Sequence, residues 1–171
     1  MRIHEKVTWD GEQDEIWAKD WDFSRFVRRF PHMAGVVSAM KTLLPERRNT
    51  LVDMIVKVHR PGDNTCRDVR WHFDGDYGGE NLYALWAKGP NRTEFPETIP
   101  PLDPPSGRES QNRYLEGLGL RGVEVPEMCV ATYDSSTPHR GVVCSVPGKR
   151  FFLRVLSTET SIPKNFVRRD R

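Results

Sequence analysis

The chain has 171 residues, 37% hydrophobic and 29% charged, with 26 Lys and Arg against 24 Asp and Glu for a net charge of +2. That length fits one domain with a core of its own, and that composition excludes a disordered tail or a collagen-like fibre. No apolar run approaches the ~20 residues of a membrane-spanning helix, Met1 to Lys6 lacks the apolar stretch of a secretory signal, and so small a charge does not by itself imply nucleic-acid binding, so a cytoplasmic protein with no membrane partner is expected.

Residues 1–50 read as N-terminal helical support. Trp9, Trp17 and Trp21 lie among acidic residues, and such a segment must fold back on the body or bind something to cover its indoles, with covering the body the expected use. From Ser24 to Leu44 apolar residues recur at helical spacing, with Ser24 as cap, Pro31 dividing the segment and Pro45 closing it.

Leu51 to Val58 is dense in β-branched residues and Arg60 to Asn64 is a turn cluster, so a hairpin with Cys66 to Phe73 as its second arm is predicted. After the loop Asp74 to Gly79, a strand is predicted over Asn81 to Lys88. Residues 89–122 are rich in Pro, Gly and charge, and a structureless insert of that length reads as a lid. Strands follow at Val123 to Asp134, His139 to Val146 and Arg150 to Ser157, separated by turns at Ser135 to Pro138 and Pro147-Gly148. Residues 159–171 form a basic tail, with Lys164, Arg168, Arg169 and Arg171 against Asp170, that reads as a solvated end. Cys66, Cys129 and Cys144 are too widely spaced for a zinc ribbon or a disulfide framework, and read as small hydrophobes. The expected architecture is a single domain, mainly β with N-terminal helices packed on one face, its core spanning 51–158 as an antiparallel sandwich or jelly roll.

Three features of this β region carry chemistry. In His72-Phe73-Asp74 one residue separates imidazole from carboxylate, and on a strand positions i and i+2 point to one face, so both can share a metal. His139 follows a turn 67 residues downstream. Two His and one carboxylate are the ligand set that holds non-haem Fe(II) and leaves positions open for other ligands. Third, Arg150 and Arg154 share one face of a strand, and a guanidinium can grip a carboxylate bidentately. For the carboxylate, Asp76 competes with Asp74, but it stands four from His72. His4, His32 and His59 read as surface or packing residues, Asp134 as a turn former, and Trp71, Trp86, Tyr133 and Phe151 as core or pocket wall.

Trp71-His72-Phe73-Asp74, His139 within Ser136-Thr-Pro-His-Arg-Gly141, and Gly148-Lys-Arg150-Phe-Phe-Leu153 together resemble the Fe(II)- and 2-oxoglutarate-dependent dioxygenases. The resemblance spans about Leu51 to Ser157 and implies a double-stranded β-helix, a cupin-like jelly roll. It implies iron held by His72, Asp74 and His139, and a far carboxylate of 2-oxoglutarate anchored by Arg150, eleven residues past His139 with Gly148 two before it. Arg154 is the reserve anchor or faces the primary substrate, and Asn81, Tyr83 and Lys88 are candidates for a further polar contact to the co-substrate. The implied reaction releases succinate and CO2 and hydroxylates an unidentified small molecule. Two alternatives stand beside it: an oxygenase of the same kind acting on nucleic acid or nucleotides, and a non-catalytic cupin-like module that binds a metal or ligand.

Overall fold

A computed structural model describes residues 1–66, 69–75 and 77–168. Its strands are β1 (Arg2–Lys6), β2 (Ile16–Asp22), β3 (Asn49–His59), β4 (Leu82–Lys88), β5 (Glu94–Pro96), β6 (Gly122–Glu124), β7 (Cys129–Asp134), β8 (Gly148–Thr158) and β9 (Phe166–Arg168). The helices are α1 (Phe23–Arg29), α2 (Ala34–Thr42), joined to α1 by a 3-10 turn at Pro31–Met33, and α3 (Arg108–Gly117). None of the helices among the described residues is long and apolar enough to cross a membrane.

The protein is mainly β. Seven strands form one antiparallel sheet in the order β1-β7-β4-β8-β3-β2-β9. Its centre is the pairing of β3 with β8, in register from Asn49 opposite Thr158 to His59 opposite Gly148. Period-two alternation divides the sheet into two faces. Val52, Met54 and Val56 of β3 and Phe151, Leu153 and Val155 of β8 turn to one side, where they meet Phe26, Phe30, Met33, Val37 and Met40 of the helical segment in the largest apolar cluster. Tyr83, Leu85, Ala131 and Tyr133 turn to the other side, with Phe152 packed against them, and meet Phe95 and Val125.

That second face is covered by short segments rather than long strands. β5 pairs with β6, and single bridges join Asn64 to Val143, His72 to His139 and Glu94 to Arg140. Among the described residues of the predicted arm 66–73 none pairs with β3, whose neighbours are β2 and β8, so the predicted hairpin is not found there; residues 67 and 68 lie outside the described residues. After the turn at Arg60 to Asn64 the chain leaves the large sheet, and Gly62 and Thr65 donate their backbone N–H groups to Cys144 and Val142. The predicted strand at His139 to Val146 is likewise reduced to these isolated bridges.

The helical reading of residues 1–50 is also corrected in part: β1 and β2 precede the helices and join the large sheet. Asp22, not Ser24, caps α1, its carboxylate accepting from the Arg25 N–H at 3.0 Å. Pro31 divides the helical segment as its fixed geometry requires. Trp9 and Trp21 do fold back, ringed edge-on by Phe151 and Phe30. The 89–122 insert is not structureless, since it contains β5, α3 and β6. Leu102, Tyr114, Leu115 and Leu120 from it pack with Trp71, Phe73 and Tyr77, so its apolar side is spent on the back of the segment that carries His72. Of the basic tail, Phe166–Arg168 pairs with β2 as an edge strand, and residues 169–171 lie outside the described residues.

Candidate metal centre

His72 and His139 are joined by a reciprocal backbone pair: each N–H donates to the other's carbonyl at 3.0 Å. In an antiparallel bridge directly opposed side chains share a face, so this pair brings together two imidazoles 67 residues apart, with ring centroids 4.6 Å from each other. Asp74 follows two residues on from His72, and Gly75, at φ +76°, turns the chain immediately after it. One ligand atom from each of His72, Asp74 and His139 lies within 4.8 Å of the others.

Both imidazoles are oriented by their backbone. Nδ1 of His72 lies 2.8 Å from the Arg70 carbonyl, and Nδ1 of His139 lies 3.3 Å from the Thr137 carbonyl. A carbonyl can only accept, so Nδ1 carries the proton and the lone pair sits on Nε2, the arrangement a metal ligand needs. Nε2 of His139 lies 3.2 Å from Asp74 Oδ2, while Nε2 of His72 meets no hydrogen-bond partner among the described residues. Burial, and then the neighbouring His139, lower the pKa of His72 to about 4, so its ring is neutral at physiological pH.

Asp74 is held from behind. Tyr133 donates its hydroxyl to Oδ2 at 2.8 Å, and Arg154 donates Nη1 to the same oxygen at 2.6 Å. The other side of the Arg154 fork meets Asp53 Oδ2, at 3.1 Å from Nε and 2.6 Å from Nη2. Asp53 Oδ1 in turn accepts the backbone N–H of Asp20 at 2.7 Å, from the bulge in β2 where Asp20 takes a φ of 54°. Burial alone would raise the Asp74 pKa, but the Arg154 guanidinium and His139 outweigh it and hold the carboxyl well below its ordinary range. Burial and the charge of Asp74 push the Tyr133 hydroxyl up, so it remains a donor.

Arg150 sits on the same face of β8 as Arg154 but is differently provided for. It is 4% exposed, donates to the Thr65 carbonyl at 3.4 Å and the Thr93 hydroxyl at 3.1 Å, and leaves its buried Nε without a partner. No carboxylate pairs with it among the described residues. Burial lowers its pKa to about 10, still cationic at neutral pH. A desolvated cation with no counter-ion is costly, and it marks a place where an anionic ligand would be stabilised.

The remaining sequence candidates separate cleanly. The Tyr83 hydroxyl donates to the Asp74 carbonyl at 3.0 Å, stacked on Tyr133, and so steadies the ligand loop. Asn81 offers its backbone carbonyl to the Ser135 hydroxyl at 3.3 Å. Lys88 is on the opposite face, with Nζ over the Trp9 and Phe151 rings. Asp134 forms the turn, its Oδ1 accepting from Ser136 N and Thr137 Oγ1. Asp76 lies outside the described residues. Reading the sequence missed Asp53, Thr65 and Thr93, and took Tyr133 only as wall. Asp53 alone left a signal: it interrupts the apolar run Leu51-Val-Asp-Met-Ile-Val56, and a charge inside a buried strand needs a partner.

The donor set, two imidazoles and one carboxylate, suits a divalent transition ion. No protein-family model, curated protein or solved structure matches this chain.

Proposed function

We propose that this protein is an Fe(II)- and 2-oxoglutarate-dependent dioxygenase, with the large sheet and the short bridged segments opposite it forming a double-stranded β-helix. The observation that carries the reading is Arg150, a buried guanidinium without a counter-ion among the described residues, on the strand face that also serves the His72, Asp74 and His139 cluster.

Charge arithmetic supports it. Asp53 and Asp74 against Arg150 and Arg154 sum to zero, so a divalent ion leaves the site at +2. A dianionic dicarboxylate restores neutrality in a region where unbalanced charge is expensive. His72 and His139 would supply nitrogen donors and Asp74 an oxygen donor. Arg154 and Tyr133 keep Asp74 ionised and fix its orientation, since both donate to Oδ2. Arg150 and Thr93 would receive the far carboxylate of the co-substrate through charge-assisted hydrogen bonds. Phe95 and Tyr133 pack around His139 and keep bulk water from that side. The iron, when bound, supplies the oxygen chemistry that decarboxylates 2-oxoglutarate and hydroxylates a C–H bond of the substrate.

Succinate release from 2-oxoglutarate, measured with Fe(II) and oxygen, tests the reading directly. We expect turnover in the parent protein and none in His139→Ala or Arg150→Gln. Metal binding without oxygen-dependent succinate would make the protein a binding module instead.

A further inference from the structure

β3, β2 and β9 form one end of the large sheet, with β9 at its edge. Along β2, Ile16 and Ala18 are buried in the helix-side core, so Trp17 and Lys19 face the metal-centre side. Registry extends that face across the edge of the sheet. Trp17 stands opposite Ile55 on β3 and Arg168 on β9, Lys19 stands opposite Phe166, and Lys57 stands opposite Arg150. Lys19, Lys57 and Arg168 are exposed, and Phe166 is 49% exposed with its ring edge-on to Trp17 at 6.2 Å. Among the described residues Asp53 pairs with Arg154, Asp20 pairs with Lys164, and Glu15 accepts the Val58 N–H. Three strand steps separate β9 from β8, so this surface begins beside Arg154 and runs about 14 Å outward.

We propose that this face, with Trp17 and Phe166 set among Lys19 and Lys57, docks a single-stranded nucleic acid and delivers it as substrate to the metal centre; the delivery half rests on the oxygenase reading above. The chemistry selects that partner. Unpaired bases stack on aromatic side chains while phosphates lie against the interleaved cations, and the stacking is indifferent to sequence. An acidic peptide would use the cations and leave both rings idle. A duplex keeps its base faces occupied and offers only phosphates.

The test is fluorescence anisotropy of a labelled short oligothymidylate with the full chain, metal-free and without co-substrate, beside a duplex of equal length and heparin as competitor. We expect the single strand to bind in preference to the duplex and to lose roughly ten-fold in affinity on Phe166→Ala, with Phe166→Tyr restoring it. The pair Lys19→Glu and Lys57→Glu should weaken binding further and flatten its salt dependence, about ten-fold for a four-fold rise in salt in the parent. These side chains are exposed, so melting temperature should not change, and a variant that fails to melt cooperatively is replaced by Phe166→Leu, which keeps apolar area but removes the ring. No binding, equal binding of duplex, or binding untouched by Phe166 substitution overturns the proposal. Because this assay needs neither iron nor 2-oxoglutarate, it fails independently of the oxygenase reading: succinate release without strand binding sinks the docking surface alone, and strand binding without succinate release sinks the reaction alone. Stimulation of succinate release by the oligonucleotide joins the two.

Discussion

Arg154 donates to Asp74 at 2.6 Å and, through the other side of the same guanidinium, to Asp53 at 2.6 Å, so one cation on β8 bridges a carboxylate of the large sheet and a carboxylate of the candidate metal centre. Burial would deprotonate an isolated arginine more readily, but these two acids outweigh it and keep Arg154 charged. The sheet's own ladder sets the arrangement, since Asp53 and Arg154 are directly opposed in the register.

Arg154→Met should therefore strand two partly buried acids. The expected cost is on the order of 3–5 kcal/mol in urea denaturation of the metal-free protein, as for other broken buried pairs. Metal affinity, followed by Mn(II) titration, should fall about 10–100-fold, because Asp74 loses the group that orients it. Arg154→Lys keeps the charge and loses the fork, so it should fall between the two. An unchanged Mn(II) affinity in Arg154→Met would mean that Asp74 is not a ligand.

Arg150→Met should behave in the opposite way. Among the described residues the guanidinium has no carboxylate to leave behind, so removing it should cost the ligand-free protein little, within about 1 kcal/mol, or stabilise it. What should vanish is the stabilisation that 2-oxoglutarate confers, about 2.7 kcal/mol at a hundred times its dissociation constant. Thermal melts with and without the dicarboxylate read both effects. A large loss of stability in the absence of ligand would mark Arg150 as a structural cation.

Acid should weaken the metal-free fold from near-neutral pH downwards. His72 titrates at about 4 when folded against 6.5 as a free side chain, so between those values the unfolded chain holds a proton that the folded chain does not. Stability from this group is complete above pH 6.5 and declines as the pH falls to about 4, on the order of 3 kcal/mol in all. Asp74 acts in the same direction further down, where its stabilisation is lost as the pH falls from the ordinary carboxylate range towards its own depressed value. Bound Mn(II) should move the onset of this decline to lower pH, since the ion competes with the proton for Nε2. Urea midpoints between pH 8 and 4, with EDTA or with Mn(II), measure it; a flat profile from pH 7 to 4.5 in EDTA contradicts the burial of His72.

What the sequence disclosed follows the range of the interactions involved. His72 and Asp74 are two residues apart, and strand alternation is enough to aim both at one point. The β-branched run of β3 and the alternation of Arg150, Phe152 and Arg154 were legible for the same reason. The pairing of β3 with β2 and β8 was not, because a β-rich segment followed by a turn specifies a reversal of the chain and not which layer receives it. The strand content of residues 2–22 was hidden by polar residues: β1 is an edge strand whose five positions are all at least partly exposed, so it has no buried alternation to betray it. The insert between β4 and β7 read as a lid because its apolar residues are sparse. Their partners, Trp71 and Phe73, lie outside it, and only a structure reveals the joint cluster.

That cluster makes the last expectation specific. Leu115 of α3 is fully buried against Trp71 and Phe73, the two neighbours of His72 in the chain. Leu115→Ala should cost about 2–5 kcal/mol through the cavity it leaves. Relaxation into that cavity draws on the segment that aims the imidazole, so Mn(II) affinity should fall as well. Met40→Ala removes a comparable side chain from the helix-side core, where the large sheet stands between the cavity and the metal centre. It should lower stability by a similar amount and leave the affinity within about three-fold, since distant sites couple weakly. If both variants lose metal affinity alike, the loss tracks global stability; if only Leu115→Ala does, the insert serves as the backing of the ligand segment.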